Sequence, residues 1–351
     1  MALAWVKSYL QGRKQFVRIT DAVSFPSDLS IGVPQGSVLG PLLFLCYILP
    51  LRQIIERHGI HRHGYADDTQ LYCPLTLGDN EALPLEKQKM EKCIDDMRSS
   101  VYANKLKINK SKTEVVVVAR KADAPKAEGI RVRIGEAVVT SRRTVKNLGA
   151  IFDDQLTMKS QASDVARRAN HHLRSISHIR AFLSQKACAS AINATVTSRL
   201  DFHNGSLLGA PKSTLRKLTL VQNSAARVLT KTPTRQHITP VLAHLHWLPI
   251  EQRVEYKVLC LIHCGVHAVD SPTYLNEICT AYQPERTLRS GSRGQLVVNR
   301  VDNAYGARAF SQAGARLWNA LPQALRELDS EVAFKKQLKT FLFRRTYHQI
   351  L

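Results

Sequence analysis

The hydrophobic pattern along this chain changes period once, near residue 157. Before that point short alternating runs are interleaved with helical ones. Residues 2–11 put Trp5, Val6, Tyr9 and Leu10 on one helical face, which predicts a short amphipathic helix. Residues 14–20 alternate like a strand, and 37–57 read as a helix interrupted at Pro50. A hairpin is predicted over 61–73, then a helix over 84–106 that opens on Pro84 and closes near Asn104. Strands are expected at 114–119, Arg131–Ile134, Ala137–Thr140 and 145–152, with the Ala- and Lys-rich stretch 121–129 as a loop. After 157 the apolar spacing becomes helical, predicting helices at 157–183, 186–199, 213–231, 250–267 and 332–347. Pro211, Pro233, Pro240, Pro249 and Pro272 punctuate them, and the Gly/Ser/Arg-rich segment 281–300 reads as a loop. The expected fold class is α+β followed by an all-α region, without an internal repeat.

Inside the predicted hairpin stands Tyr65-Ala66-Asp67-Asp68. Neighbouring side chains on a strand point to opposite faces, so two adjacent carboxylates share one site only where the backbone reverses. At a turn such a pair can hold Mg²⁺ or Mn²⁺ against phosphate oxygens; alone, it reads first as an acidic surface turn. About thirty residues earlier lies Gly32-Val33-Pro34-Gln35-Gly36-Ser37-Val38-Leu39-Gly40-Pro41, directly ahead of an apolar helical run. Glycines let backbone approach a ligand, and a following helix offers free N–H groups.

These two motifs at this spacing resemble the palm of a reverse transcriptase, and more narrowly that of a non-LTR (LINE-type) retrotransposon. Asn104-Lys105-Leu106-Lys107-Ile108-Asn109 followed by Lys112-Thr113-Glu114 is similar to the family's next palm motif, and Val145-Lys146-Asn147-Leu148-Gly149 to its primer grip. Ser198-Arg199-Leu200-Asp201, Leu220-Val221-Gln222-Asn223, His246-Trp247-Leu248-Pro249 and Leu317-Trp318-Asn319-Ala320-Leu321-Pro322 resemble the tail of LINE polymerases. The resemblance implies a partial palm, an antiparallel sheet with helices, over residues 1–155. A helical thumb-like region at 156–270 and a basic C-terminal region at 271–351 would follow.

It also implies roles. Asp67 would be the main catalytic metal ligand with Asp68 in support, and Tyr65 would lie under the primer end. Gln35 and Gly36 would contact the template–nucleotide pair, Lys112 would neutralise triphosphate charge, and Asn147, Leu148 and Gly149 would support the primer. RNA template and DNA primer are the implied partners. The family's palm carries a further metal-binding Asp on an earlier strand, and fingers that hold the nucleotide; no segment here reads as either. Asp95-Asp96 reads as part of a charged helix and Asp153-Asp154 as a solvated turn. The expectation is an N-terminally truncated RNA-directed DNA polymerase with half its carboxylates, inactive alone. The alternative is a nonenzymatic, basic RNA/DNA-binding protein derived from a retroelement.

Charge agrees with a polyanionic partner. Lys and Arg number 50 against 28 acidic residues, a net +22, divided as +8 up to residue 150 and +14 beyond it. With 44% hydrophobic residues the composition is that of a folded protein rather than a disordered one. No apolar run reaches the roughly 20 residues that cross a bilayer, and no secretory signal pattern opens the chain. Seven scattered cysteines imply reduced thiols and an intracellular location, nuclear or cytoplasmic. Cys260, His263 and Cys264 would share a helix face, with Cys279 as a possible fourth ligand. They sit in an apolar run with no second close-spaced set, so no zinc is expected.

Overall fold

The structure, a computed structural model, describes residues 2–30, 32, 36–268, 271–283 and 294–348. Chain contacts divide it into two units, Met1–Arg142 and Arg143–Leu351. Together they mix helices with small antiparallel sheets, and among the described residues every sheet is two-stranded.

In the first unit helix α1 spans Ala2–Leu10 and is followed by four two-residue strands, β1 Lys14–Gln15, β2 Arg18–Ile19, β3 Ala22–Val23 and β4 Ser27–Asp28. The strand expected over 14–20 is thus broken, because β1 pairs with β4 while β2 turns back tightly on β3. Helices α2 (Gly40–Ile48) and α3 (Leu51–Arg57) meet at Pro50, as the missing N–H of proline requires. The hairpin β5 (His61–Tyr65) and β6 (Asp68–Tyr72) comes next, then the long helix α4 (Ala82–Ala103). Leu51, Ile55 and Ile60 pack on Cys93, Met97 and Val101 of α4, and Leu71 and Cys73 join them from the hairpin. Each large side chain buried in that cluster contributes about 1.5–3 kcal/mol.

The expected strand at 114–119 forms no ladder. Val117 and Ala119 are buried in a satellite cluster with Ala127, and Arg142 N–H bonds the Val115 carbonyl at 2.8 Å. Ala127 belongs to a short helix α5 (Ala124–Ala127) inside the stretch expected to be a loop. Strands β7 (Arg131–Ile134) and β8 (Ala137–Thr140) stand where their alternation places them, with Val132 and Ile134 buried.

The second unit opens on a hairpin, β9 (Thr144–Asn147) and β10 (Ala150–Asp153), where a single strand over 145–152 was expected. Helix α6 (Lys159–Ile179) buries Ala162, Val165, Ala169, Leu173 and Ile176 at helical spacing against α9 (Lys212–Thr230). Between them α7 (Gln185–Ile192) runs through a π-helical turn, Asn193–Thr197, into α8 (Ser198–Asp201), one continuous helical path where a regular helix was predicted. The remaining helices are α10 (Ile238–His244), α11 (Ile250–His267), α12 (Thr273–Ile278), α13 (Ala304–Arg308), α14 (Ala315–Asn319), α15 (Gln323–Arg326) and α16 (Glu331–Tyr347). In the segment expected to be a loop, Ala281 bridges Leu296, and residues 284–293 lie outside the described residues.

The tail motifs are packing devices. Trp318 is fully buried with Phe334, Leu338 and Leu342, and its indole N–H donates to the Gly294 carbonyl at 2.7 Å. Asn319 exchanges two hydrogen bonds with the Leu296 backbone, at 2.8 and 2.9 Å. The Trp247 carbonyl accepts from the Tyr347 hydroxyl, and that of Leu248 from the Gln222 amide. Asp201 is held by the guanidinium of Arg253, with Nε at 2.8 Å.

Asp153 departs from the expected solvated turn. Only 8% exposed, its carboxylate accepts from the backbone N–H groups of Gln155, Thr157 and Met158 and from the Thr157 hydroxyl. It closes the entry into α6, where free N–H groups and the helix dipole favour an anion.

Candidate active site

The β5–β6 hairpin is joined by two residues, Ala66 and Asp67, with Tyr65 directly opposite Asp68. Primed two-residue turns need positive φ at their first central position, and Ala66 supplies it at +52°. For a residue with a Cβ that conformation costs about 1–2 kcal/mol. Strain of this kind is commonly concentrated at functional sites. The turn takes Asp67 out of the strand alternation, so it stands at the tip beside Asp68 at the head of β6. Both are exposed, and among the described residues neither carboxylate makes a hydrogen bond or ion pair.

The two hairpin faces are unlike. Leu71 and Cys73 turn inward onto the α3–α4 cluster. In register on the other face are His61, His63 and Tyr65 with Tyr72, Gln70 and Asp68. The Tyr72 ring stacks on both His61 and His63, with centroids 5.2 and 5.1 Å apart. Tyr65 beside them is 69% exposed. Two free carboxylates therefore sit at the end of an aromatic surface.

The other expected site residues are distributed more widely. Gly36 has φ +86°, and nothing lies within 4 Å of where a Cβ would stand, so its backbone rather than crowding demands glycine. Val33, Pro34 and Gln35 lie outside the described residues. Lys112 ends a short 3₁₀ turn, Lys110–Lys112, opened by the Asn109 side chain, and is exposed. In the second unit Asn147 ends β9, and Leu148 and Gly149 form the two-residue turn to β10, with φ of +44° and +85°. Both are positive, as a type I′ turn requires. Glycine is needed at 149 twice over, since a Cβ there would come 3.2 Å from the Phe202 ring.

Two neighbouring carboxylates can supply oxygens to one side of a divalent cation. A two-metal cage requires more, and among the described residues no three His, Cys, Asp or Glu side chains converge. The Cys260 group is spread through an apolar core. The Cys260 thiol faces Tyr256, and burial pushes its pKa up, as it does that of Cys279. His263 is sandwiched near Phe334 and Trp318, with Nε2 donating to the Leu328 carbonyl at 2.6 Å. One charged feature was not expected from the sequence, a cluster of Arg and His on α6 and α8 that the run Arg167-Arg168-Ala169-Asn170-His171-His172-Leu173-Arg174 could have signalled.

Residues 1–152 match the family described as reverse transcriptase (RNA-dependent DNA polymerase). Among curated proteins of Drosophila melanogaster, the chain is 28% identical over 241 residues to "Probable RNA-directed DNA polymerase from transposon X-element", covering 64% of this chain and 24% of that protein. It is 24% identical over 261 residues to "Probable RNA-directed DNA polymerase from transposon BS", covering 71% and 28%, and 22% identical over 237 residues to "RNA-directed DNA polymerase from mobile element jockey", covering 65% and 25%. The chain spans about a quarter of the length of these relatives. No solved structure matches it. Residues 1–152, which carry the Asp67-Asp68 hairpin, thus match the reverse transcriptase family, and the chain is similar to RNA-directed DNA polymerases of Drosophila melanogaster transposons.

Proposed function

We propose that this chain contributes the Asp67-Asp68 hairpin to RNA-templated DNA synthesis. The observation that carries the reading is a pair of exposed carboxylates, unpaired among the described residues, held by a strained two-residue turn inside the reverse transcriptase segment. A fold that needed those carboxylates for stability would have given them partners. Bound there, divalent cations would neutralise phosphate charge and activate the primer hydroxyl. Asp67 is the principal ligand and Asp68 its neighbour, and Tyr65 meets the sugar or base at the primer end by stacking. Gln35 and Gly36 contact the templated pair, Lys112 the triphosphate, and the turn at Asn147, Leu148 and Gly149 the primer strand. In this reading residues 1–155 act as part of a palm, 156–270 as a thumb and 271–351 as a basic tail.

Two carboxylates fill only part of a two-metal site, so these 351 residues alone should extend a primer poorly. The test has two arms, both using an RNA template with Mg²⁺ or Mn²⁺. The purified chain is expected to give extension near background. Substituting it for the corresponding region of the jockey polymerase is expected to give an active chimera, which Asp67→Asn silences by at least about a thousandfold. An active chimera indifferent to Asp67→Asn would overturn the assignment.

A further inference from the structure

The second unit carries a charged groove that the hairpin chemistry does not use. It has a volume of about 440 Å³ and is lined by Arg167, Arg168, His171, His172 and Arg174 of α6 and Arg199 of α8. Arg167, His171 and Arg174 fall at i, i+4 and i+7, so they form one exposed stripe. Arg168 and His172 flank it on the side toward Arg199. The stripe covers about 10 Å of helix axis.

Four guanidiniums stand in the groove, and no carboxylate lines it. Asp164 at the rim is shared, accepting from Arg167 at 2.7 Å and from Arg168 through its other oxygen. Among the described residues Arg174 and Arg199 pair with no carboxylate, and nearby Asp201 is held by Arg253. On the floor Arg199 donates to His172 Nε2 at 3.0 Å, which makes that nitrogen an acceptor and the imidazole neutral. Burial, then the charge of Arg199, holds the His172 pKa below its ordinary value. The Nε atoms of Arg168 and Arg199 are buried without a partner. Past Arg167 a second hollow runs along Lys159, Ser163 and the paired Asp164, where Lys217 of α9 reaches the Ser163 hydroxyl at 2.7 Å.

We infer that this α6–α8 groove binds consecutive phosphates of a nucleic-acid strand. Successive phosphates advance about 3.4 Å along a strand axis, so the Arg167–Arg174 stripe matches roughly three of them. Guanidiniums suit this partner because each offers a planar fork of donors to phosphate oxygens. The groove lies beyond residue 152, where the reverse transcriptase match ends, and its binding does not depend on Asp67 or Asp68.

The test is fluorescence anisotropy of a labelled RNA·DNA duplex of about twenty base pairs, titrated with the full chain at several NaCl concentrations. Arg174→Gln and Arg199→Gln should each weaken binding several-fold and lower the slope of log affinity against log salt by about one. Lys339→Gln, on the exposed side of α16, should leave both unchanged within about twofold. Arg199 touches His172, so its removal also disturbs the groove floor; Arg174 is exposed, and Arg174→Gln is therefore the deciding variant. Asp67→Asn should bind like the unaltered chain even where primer extension fails, which separates this inference from the polymerase reading. Unchanged affinity and slope in Arg174→Gln would overturn it. So would displacement of the duplex by micromolar pyrophosphate, which would identify a small-polyphosphate site.

Discussion

Nε2 of His203 lies 3.1 Å from the Leu148 carbonyl oxygen and donates to it, and both residues are in the left-handed region, at φ of +54° and +44°. Two backbone segments, each strained on its own, are held by one hydrogen bond. The neighbouring Phe202 ring closes over Gly149 from the same side. The turn assigned to primer support is thus shaped by packing within its own unit before any nucleic acid arrives.

Gly149 and Gly36 make a controlled comparison. Their φ values are nearly equal, +85° and +86°, but among the described residues only Gly149 of the two has a neighbour where a Cβ would go. Gly36→Ala should cost about 1 kcal/mol, and Gly149→Ala about 2 kcal/mol or more because the Phe202 ring must also move. Urea midpoints measure both. Adding Phe202→Ala should recover part of the Gly149→Ala loss; equal costs at the two glycines would show that the Phe202 contact is without consequence.

Asp153 and Asp154 separate burial from sequence. Asp153→Ala removes the acceptor of four hydrogen bonds at the start of α6 and should destabilise the second unit by about 1–3 kcal/mol or more. Asp154→Ala should stay within about 0.5 kcal/mol. Thermal unfolding of the two variants checks the contrast, and a reversed order would refute it.

The same contrast separates what is legible in the sequence from what is not. The long helices α4, α6, α9, α11 and α16 are legible because one-sided burial writes a period into the residues, and the β5–β6 hairpin because two adjacent aspartates between strand-like flanks call for a reversal. Asp153-Asp154 carries no such period, and which aspartate is buried depends on α6 meeting β10. The β9–β10 turn is hidden because Leu148, not glycine or asparagine, occupies a left-handed position, and the His203 imidazole that bonds its carbonyl comes from a distant segment. Residues 114–119 look like a strand, and Val117 and Ala119 are buried, but the segment forms none of the strands of the two-stranded sheets. The groove on α6 is hidden because its arginines belong to an ordinary-looking polar face until Arg199 arrives from another helix.

Stability should fall with mild acid through His263. Burial depresses its pKa, and Nδ1 is buried with no partner while Nε2 donates to Leu328. Below about pH 6.5 the unfolded chain takes up a proton that the folded imidazole resists, so the unfolded state binds more protons. The contribution is fully present above that pH and is lost as pH falls toward the depressed folded value. Urea midpoints near pH 7 and pH 5.5 should differ by more in the unaltered chain than in His263→Phe, whatever the variant's absolute stability. A pH dependence identical in both would show that another group is responsible.

The hairpin carboxylates should be separable from the fold. Asp67 and Asp68 are exposed, adjacent and, among the described residues, unpaired, so neutralising either removes none of the contacts seen there and relieves some like-charge repulsion. Asp67→Asn and Asp68→Asn should therefore leave the unfolding free energy within about 0.5 kcal/mol of the unaltered chain. Ala66→Gly should raise it slightly, by less than about 1 kcal/mol, since relief of the left-handed strain is partly offset by glycine's greater entropy when unfolded. A loss above about 1 kcal/mol in either Asp→Asn variant would mean that the pair is structural, and would weaken the polymerase assignment on its own ground. If stability is kept while Asp67→Asn abolishes extension in the chimera, the strained turn is maintained for chemistry rather than for the fold.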